Sequence, residues 1–260
     1  MNDDVYLETD GSIASLMLNR PEKRNALTFA MWQKIPELLT QVDNDPRLRV
    51  LVVRGAGDKA FSAGADISEF ETLRASSKDT QLYNKTAGTA QDMLASLSKP
   101  TIALVHGACV GGGCGVALSC DIRFCTPTAK FAITPARLGI VYPVSLTKRL
   151  VDLVGPAHTK AILYTGMPID ARRAYEIGLT NDVFDAATAD DETMKFADTI
   201  TSRAQYSVRS TKRIVELISA GLAKENSETL SLRSAAFDTA DYREGVRAFL
   251  EKRPANFRDV

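Results

Sequence analysis

The sequence predicts an α/β fold with parallel strands and a helical C-terminal extension. Three observations carry that expectation. Two apolar runs, Arg49 to Arg54 and Thr101 to His106, are continuous rather than alternating, as in strands covered on both faces. Each run ends in small residues that open a helix-like pattern, the strand-turn-helix order of an α/β body. Strand signals stop near residue 190, and beyond it Val208, Thr211, Val215 and Ile218 recur on one helical face.

Taken in order, Val5 to Glu8 and Ser12 to Leu18 read as short strands joined at Asp10-Gly11, a dipeptide that tolerates the positive φ of a tight hairpin. The polar, Pro-bearing stretch NRPEKRNAL is a loop. Phe29, Trp32, Ile35, Leu38, Leu39 and Val42 then recur at helical spacing behind Thr28, an N-cap residue type. Pro36 inside that run should kink the helix or start a second turn. The strand RVLVVR closes at Gly55-Ala56-Gly57 and leads through Lys59-Ala60-Phe61 into SAGADISEF; the strand TIALVH leads into GACVGGGCGVALSCD. No linker rich in Pro, Gly or Ser divides the chain, so the expected organisation is an α/β core over 1–195 and a helical region over 196–260.

Composition removes several function classes. The chain has 260 residues, 45% hydrophobic and 25% charged, with 32 basic and 32 acidic side chains, which excludes disorder, collagen-like repetition and a small disulfide scaffold. A net charge of zero without a basic run gives no field for nucleic acid. No stretch approaches the roughly 20 apolar residues that cross a bilayer, so no membrane span is expected. The opening MNDDVYLETDG has neither the basic nor the apolar part of an address signal, so the expected compartment is the cytoplasm. Cys109, Cys114, Cys120 and Cys125 lack the paired spacing of zinc ligands and read as buried free thiols, with no metal. His106 and His158 are the only histidines. His106 ends a strand before a glycine loop, near any site there, but with no acidic partner at triad-like spacing it reads as structural, and Ser or Cys nucleophilic catalysis is not expected.

Chemistry concentrates in two loops. Gly111-Gly112-Gly113, after a strand and before Val116-Ala117-Leu118, lets backbone amides approach a ligand at a helix N-terminus, an anion or oxyanion site. Cys114-Gly115 follows where a phosphate loop would need Gly-Lys-Ser/Thr, and no G-x-S-x-G occurs. Alone, such glycines serve helix-on-sheet packing equally well. A second strand-turn-helix junction, Ser62-Ala63-Gly64-Ala65-Asp66-Ile67, could place one amide beside the first so that both serve a single oxygen.

On four segments the chain resembles the crotonase superfamily, the enoyl-CoA hydratase and isomerase fold: LNRPEKRNAL, FSAGADISEF, the stretch from Lys99 to Asp121, and AFLEKRPANF. They run in family order across nearly the whole chain. The resemblance implies a repeated ββα spiral core with a helical C-terminal extension, an acyl-CoA substrate, no cofactor apart from the CoA carried by that substrate, and assembly as a homotrimer or dimer of trimers. It implies that the thioester carbonyl is held by the amides of Ala65 and Gly112. It also implies that the CoA adenine lies along Ala63, Ala65, Asp66, Ile67 and Ser68, with Lys23 or Arg24 near the phosphates. Phe249 and Lys252 match positions that contact CoA, often from a neighbouring subunit.

The departures from the family pattern redirect the chemistry. Hydratases of the superfamily carry one catalytic Glu two residues after the glycine triplet, where this chain has Gly115, and another four residues before the glycine that is Gly139 here, where it has Pro135. Each positioned proton-transfer group contributes about 10²- to 10⁴-fold, so hydration by two glutamates, or isomerisation by one, is disfavoured. The stretch TPARLGIVYP is similar to methylmalonyl-CoA decarboxylases, with Tyr142 where those carry a Tyr. Loss of CO2 creates the enolate without a base; Tyr142 would orient the departing carboxylate and Arg137 would pair with it. Against this, such decarboxylases have His where this chain has Ala65, and Tyr142 could equally pack beneath the acyl pocket. Asp66, Glu69 and Glu71 are helix-start carboxylates that serve the dipole or act as displaced acids. Two alternatives stay open: an enoyl-CoA hydratase with relocated acids, and a noncatalytic acyl-CoA binding protein.

Overall fold

A computed structural model describes residues 4–70 and 76–257. The hairpin forms as β1 (Val5–Asp10) and β2 (Ile13–Leu18), with Asp10 opposite Ile13. Its turn is Gly11-Ser12, one residue later than the sequence suggested, because Gly11 takes the positive φ of +55°. Helix α1 (Phe29–Asn44) starts where Thr28 Oγ1 accepts the Met31 amide at 3.2 Å. Pro36, expected to kink the helix or start a second turn, does not end it: α1 runs through it, with Met31, Trp32, Ile35, Leu38, Leu39 and Val42 held in the core on both sides of the ring.

Three ββα units follow. They are β3 (Val50–Gly55), β4 (Ala60–Ser62) and α2 (Ser77–Ala95); β5 (Thr101–Val105), β6 (Ala108–Val110) and α3 (Gly112–Leu118); and β7 (Ile122–Cys125), β8 (Lys130–Ala132) and α4 (Val144–Thr165). The first strand of each unit joins a large sheet and the second a small one. With β9 (Ile169–Asp170) and β10 (Asp182–Val183), the orders are β1-β2-β3-β5-β7-β10 and β4-β6-β8-β9. Pairing is parallel except for β1 with β2 and β8 with β9. This is the repeated ββα spiral the resemblance implied.

The large sheet is covered on both faces. Leu51 and Val53 point into the main core with Leu16, Leu18, Trp32, Phe61 and Phe131, whereas Val50, Val52, Ile102 and Leu104 pack on the other side with Phe124, Ala189 and Ala197. Burial on both faces is why β3 and β5 read as unbroken apolar runs. The four cysteines are buried free thiols, and burial pushes Cys120 up to about 12 and Cys125 to about 11.

After β10 the described elements are helical: α6 (Ala189–Thr201), α7 (Gln205–Ser219), α8 (Ser227–Ala235) and α9 (Ala240–Glu251), with the short α5 (Ala171–Glu176) before β10. Helix α6 spans the boundary expected at 195/196. The apolar face read on α7 points outward, with Val215 and Ile218 both exposed. No described helix is long and apolar enough to cross a membrane.

Candidate active site

The two loops meet because β4 and β6 are parallel neighbours, paired Ala60 to Ala108 and Ser62 to Cys109. Adjacent strands lie about 4.8 Å apart, so their C-terminal exits emerge side by side. The first exit is stitched to the loop after β2: Ala63 N donates to Arg24 O at 2.8 Å, Leu27 N to Gly64 O at 2.7 Å, and Asp66 N to Leu27 O at 2.9 Å. Amides of an extended segment alternate in direction, which leaves the Ala65 N–H facing away from Leu27. The second exit turns at Gly111, φ +52°, whose amide bonds Ala132 O at 2.8 Å, and Gly112 then opens α3.

A Cβ built on Gly112 would lie 3.7 Å from Ala65 N, and one on Gly64 would lie 3.4 Å from Gly112 N. Among the described residues no acceptor takes either amide. Two unclaimed donors thus border one small space, which suits a single oxygen that gains negative charge. Gly113 is glycine for another reason: a Cβ there would sit 2.5 Å from Ser62 Cβ.

Several polar side chains, buried or half-buried, hold this frame. Asn25, at φ +54°, accepts the Arg20 amide at 2.9 Å and donates to Ala56 O at 3.0 Å and Ala60 O at 2.7 Å. Asp66 accepts from Ser68 N and Oγ and pairs with Arg20 at 2.7 Å; the Ser68 hydrogen bond first, then Arg20, holds its carboxyl below the usual range. Glu69 accepts the Phe29 amide at 2.7 Å and so caps α1. Both of these candidate acids are engaged; Glu71 lies outside the described residues. At the far end of α3 the buried Arg123 donates to Cys120 O at 2.7 Å, Ala117 O at 3.4 Å and Leu179 O at 3.0 Å. A cation there complements the negative end of the helix whose N-terminus carries Gly112.

Below the amides, the Cβ built on Gly112 would also approach Trp32 Cζ2 at 3.2 Å and Leu27 Cδ1 at 3.9 Å. Trp32 Nε1 donates to Tyr83 Oη at 2.9 Å, and Phe29 stacks on Tyr83. The missing side chain of Gly115 leaves space taken by neighbours: a Cβ would meet Gln91 Nε2 at 2.5 Å and Leu146 Cδ1 at 3.0 Å. Pro135 is buried in the turn Pro135–Leu138. The Tyr142 hydroxyl is buried near Cys114 and Cys109 with no hydrogen-bond partner among the described residues, and desolvation raises its pKa strongly. Arg137 is exposed, its stem 3.0 Å from where a Cβ on Gly166 would stand.

Lys23 and Arg24 are exposed and adjoin the strip Ala63 to Ser68 through the Ala63–Arg24 bond. Phe249, 83% exposed, and Lys252 sit elsewhere, at the end of α9. His106 lies 3.6 Å from Asp190 on α6, which also pairs with Arg54, and burial lowers its pKa. That acidic partner is 84 positions away, which is why spacing along the chain did not reveal it. Asn25, Gln91 and Arg123 were likewise not singled out from the sequence. Only Asn25 stood in a quoted motif, and the others carry no local signal.

A ββα spiral with two free amides at adjoining strand exits defines a crotonase-superfamily protein. The comparisons agree. The enoyl-CoA hydratase/isomerase family model matches residues 8–260. The chain is 36% identical to the crotonyl-CoA hydratase of Syntrophomonas wolfei, covering 98% of each protein. It is 33% identical to the short-chain-enoyl-CoA hydratase of Clostridium acetobutylicum, covering 96% of this chain and 95% of that one. A crystal structure of an enoyl-CoA hydratase/isomerase family protein from Hyphomonas neptunium superposes with a TM-score of 0.96 at 39% identity, covering 98% of both chains. The chain belongs to the enoyl-CoA hydratase/isomerase family.

Proposed function

We propose that this enzyme forms the enolate of an acyl-CoA thioester between the amides of Ala65 and Gly112, and that it does so by decarboxylating a malonyl-type thioester. The observation that carries the reading is the space beside Gly115, filled by the neutral amide of Gln91 at 2.5 Å from a built Cβ. With Pro135 at the second position, neither place holds a carboxylate to move a proton. In the reaction the bond between the α-carbon and the carboxylate breaks, its electrons pass into the thioester as an enolate, and CO2 leaves. The α-carbon then takes one proton from solvent. Each amide donor is worth about 3–4 kcal/mol of barrier. Tyr142 orients the carboxylate, while Arg137, out beside Gly166, is too exposed to be supported as its partner.

Lys23 and Arg24 would meet the CoA phosphates, and the backbone of Ala63, Ala65, Asp66, Ile67 and Ser68 the adenine. No further cofactor is required. Phe249 and Lys252 would reach CoA from a neighbouring subunit of a trimer or dimer of trimers. The exposed Val215, Ile218, Phe237, Val246 and Leu250 favour such burial, as does an apolar hollow of about 390 Å³ beside Phe249 and Phe257.

Hydration is the second reading, favoured by the names of the two hydratase relatives. It needs relocated acids, and Asp66 and Glu69 are already bonded. Incubation with methylmalonyl-CoA and with crotonyl-CoA, following CO2 release and thioester absorbance, separates the readings. CO2 release without crotonyl-CoA turnover is expected. Rapid hydration of crotonyl-CoA would overturn the decarboxylase reading, and tight thioester binding with no turnover would replace it with a noncatalytic acyl-CoA binder.

A further inference from the structure

The direction of the Ala65 amide is set by a peptide plane whose other side is already bonded. Gly64 O and Ala65 N belong to one trans peptide unit, so the N–H points opposite to the C=O. Gly64 O accepts from Leu27 N at 2.7 Å, and Asp66 N closes the pairing from the far side by donating to Leu27 O at 2.9 Å. Whatever holds Leu27 therefore aims Ala65. Leu27 has no polar side chain of its own, and the grip comes from Arg20. Its Nη1 carries two hydrogens and gives one to Ala26 O at 2.8 Å and one to Asp66 Oδ2 at 2.7 Å. Those acceptors stand one residue before Leu27 and one residue after Ala65, so the guanidinium staples the two segments across the bridge between them.

The arginine is itself anchored. Its amide donates to Asn25 Oδ1 at 2.9 Å, its carbonyl accepts from Asn25 N at 2.8 Å, and its Nε faces Asp4 at 3.4 Å. The side chains of Arg20 and Asp66 are only 14% and 12% exposed, so water competes little for the staple. A Cβ on Gly64 would stand 2.7 Å from Val110 O and 3.4 Å from Gly112 N, which puts the stapled strip directly against the second loop. A turn of the Gly64-Ala65 peptide thus changes how the two amides converge. A loop can stay folded with one donor misaimed, whereas a hydrogen bond weakens steeply once it bends. We infer that Arg20 is a positioning residue that aims the Ala65 N–H at the thioester oxygen through Ala26, Leu27 and Asp66, without touching the substrate. The inference rests on the two-amide part of the function proposed above, and not on decarboxylation or on the identity of the acyl group.

The probe is acetyl-CoA isotope-labelled at its thioester carbonyl, whose infrared stretch moves to lower frequency as hydrogen bonds to the oxygen strengthen. The wild-type protein is expected to displace the stretch downward from its value in free acetyl-CoA. R20M should lose about half of that displacement or more, while CoA alone binds within about threefold of wild type. R20K keeps the charge and can still donate to both acceptors, so it should recover part of the displacement. D66N removes the other arm of the staple, its new amide still accepting from Ser68, and should lose displacement in the same direction; R20M/D66N should lose no more than R20M alone. A displacement undiminished in folded R20M and D66N overturns the positioning role and leaves the two amides standing. No displacement in the wild type removes the two-amide reading, and the positioning role with it. Loss of CoA binding or of the thermal unfolding transition in R20M and D66N alike also overturns the role, because the staple would then hold the whole loop and not aim one donor.

Discussion

Replacing Gly112 by alanine isolates the amide pair from the fold. Gly112 has no positive φ, so alanine is tolerated by its backbone, and α3 gains a better helix former. The added methyl stands 3.7 Å from Ala65 N and 3.2 Å from Trp32 Cζ2, at the border of the space in which the proposed function seats an oxygen about 2.9 Å from both amides. Trp32 has to give by a few tenths of an ångström, but the oxygen has no comparable freedom. Displacing the oxygen from one such donor costs about 2.7–4 kcal/mol, a fall of ~10²–10³ in kcat. The fitting control is G113A, whose methyl would meet Ser62 Cβ at 2.5 Å and Ser62 O at 2.8 Å and so wedge the two loops apart. Steady-state turnover of the thioester, read beside the thermal midpoint, should show G112A folded and nearly inactive, and G113A strongly destabilised. A G112A enzyme with wild-type kcat and an unchanged midpoint would refute the assignment of this space to the reacting oxygen.

Three further outcomes follow from the same framework. Arg123→Met leaves the Cys120, Ala117 and Leu179 carbonyls without their buried donor, so chemical denaturation should show a loss of about 3–5 kcal/mol; a loss below about 1 would mean the guanidinium does not brace α3. Asn25→Ala removes three hydrogen bonds from the loop that carries Leu27, and should lower stability by about 3 kcal/mol and activity with it, measured on the same preparation. Glu244 has its pKa lowered to about 2, first by the Arg253 hydrogen bond and then by the Asn256 amide. Because the folded value lies below the unfolded one of about 4.3, its tether on the C-terminal segment is complete above that pH and fades as pH falls through about 2. Carbon NMR of the Glu244 carboxyl should titrate there, and at an ordinary carboxylate value in R253A; an ordinary midpoint in the wild type would contradict the pairing.

Much of the scaffold was legible because it depends on local pattern. Continuous runs marked β3 and β5, since both faces of the large sheet are covered, and small-residue junctions marked the two exits that meet. The helix continues past Pro36 because tertiary packing on either side of it outweighs the local cost of a missing amide. The Gly11-Ser12 turn differed by one residue because the glycine, and not Asp10, takes the left-handed conformation. What escaped was long-range: Arg123 bracing α3 from the next strand, Asp190 beside His106, and Gln91 filling the space that Gly115 leaves. No spacing rule links residues that meet only when α2, α3 and α4 pack together.

The parallel pairing of β4 with β6 gives the oxygen-binding donors an unusual inheritance. They belong to the main chain, so of all point substitutions only one to proline deletes such a donor, and other drift in side chains leaves them in place. On the proposed function, chemistry can then diversify on an unchanged electrostatic anvil: exchanging the groups at Gly115, Pro135 and Gln91 would alter which bond is broken, while the means of stabilising the resulting charge is passed on intact.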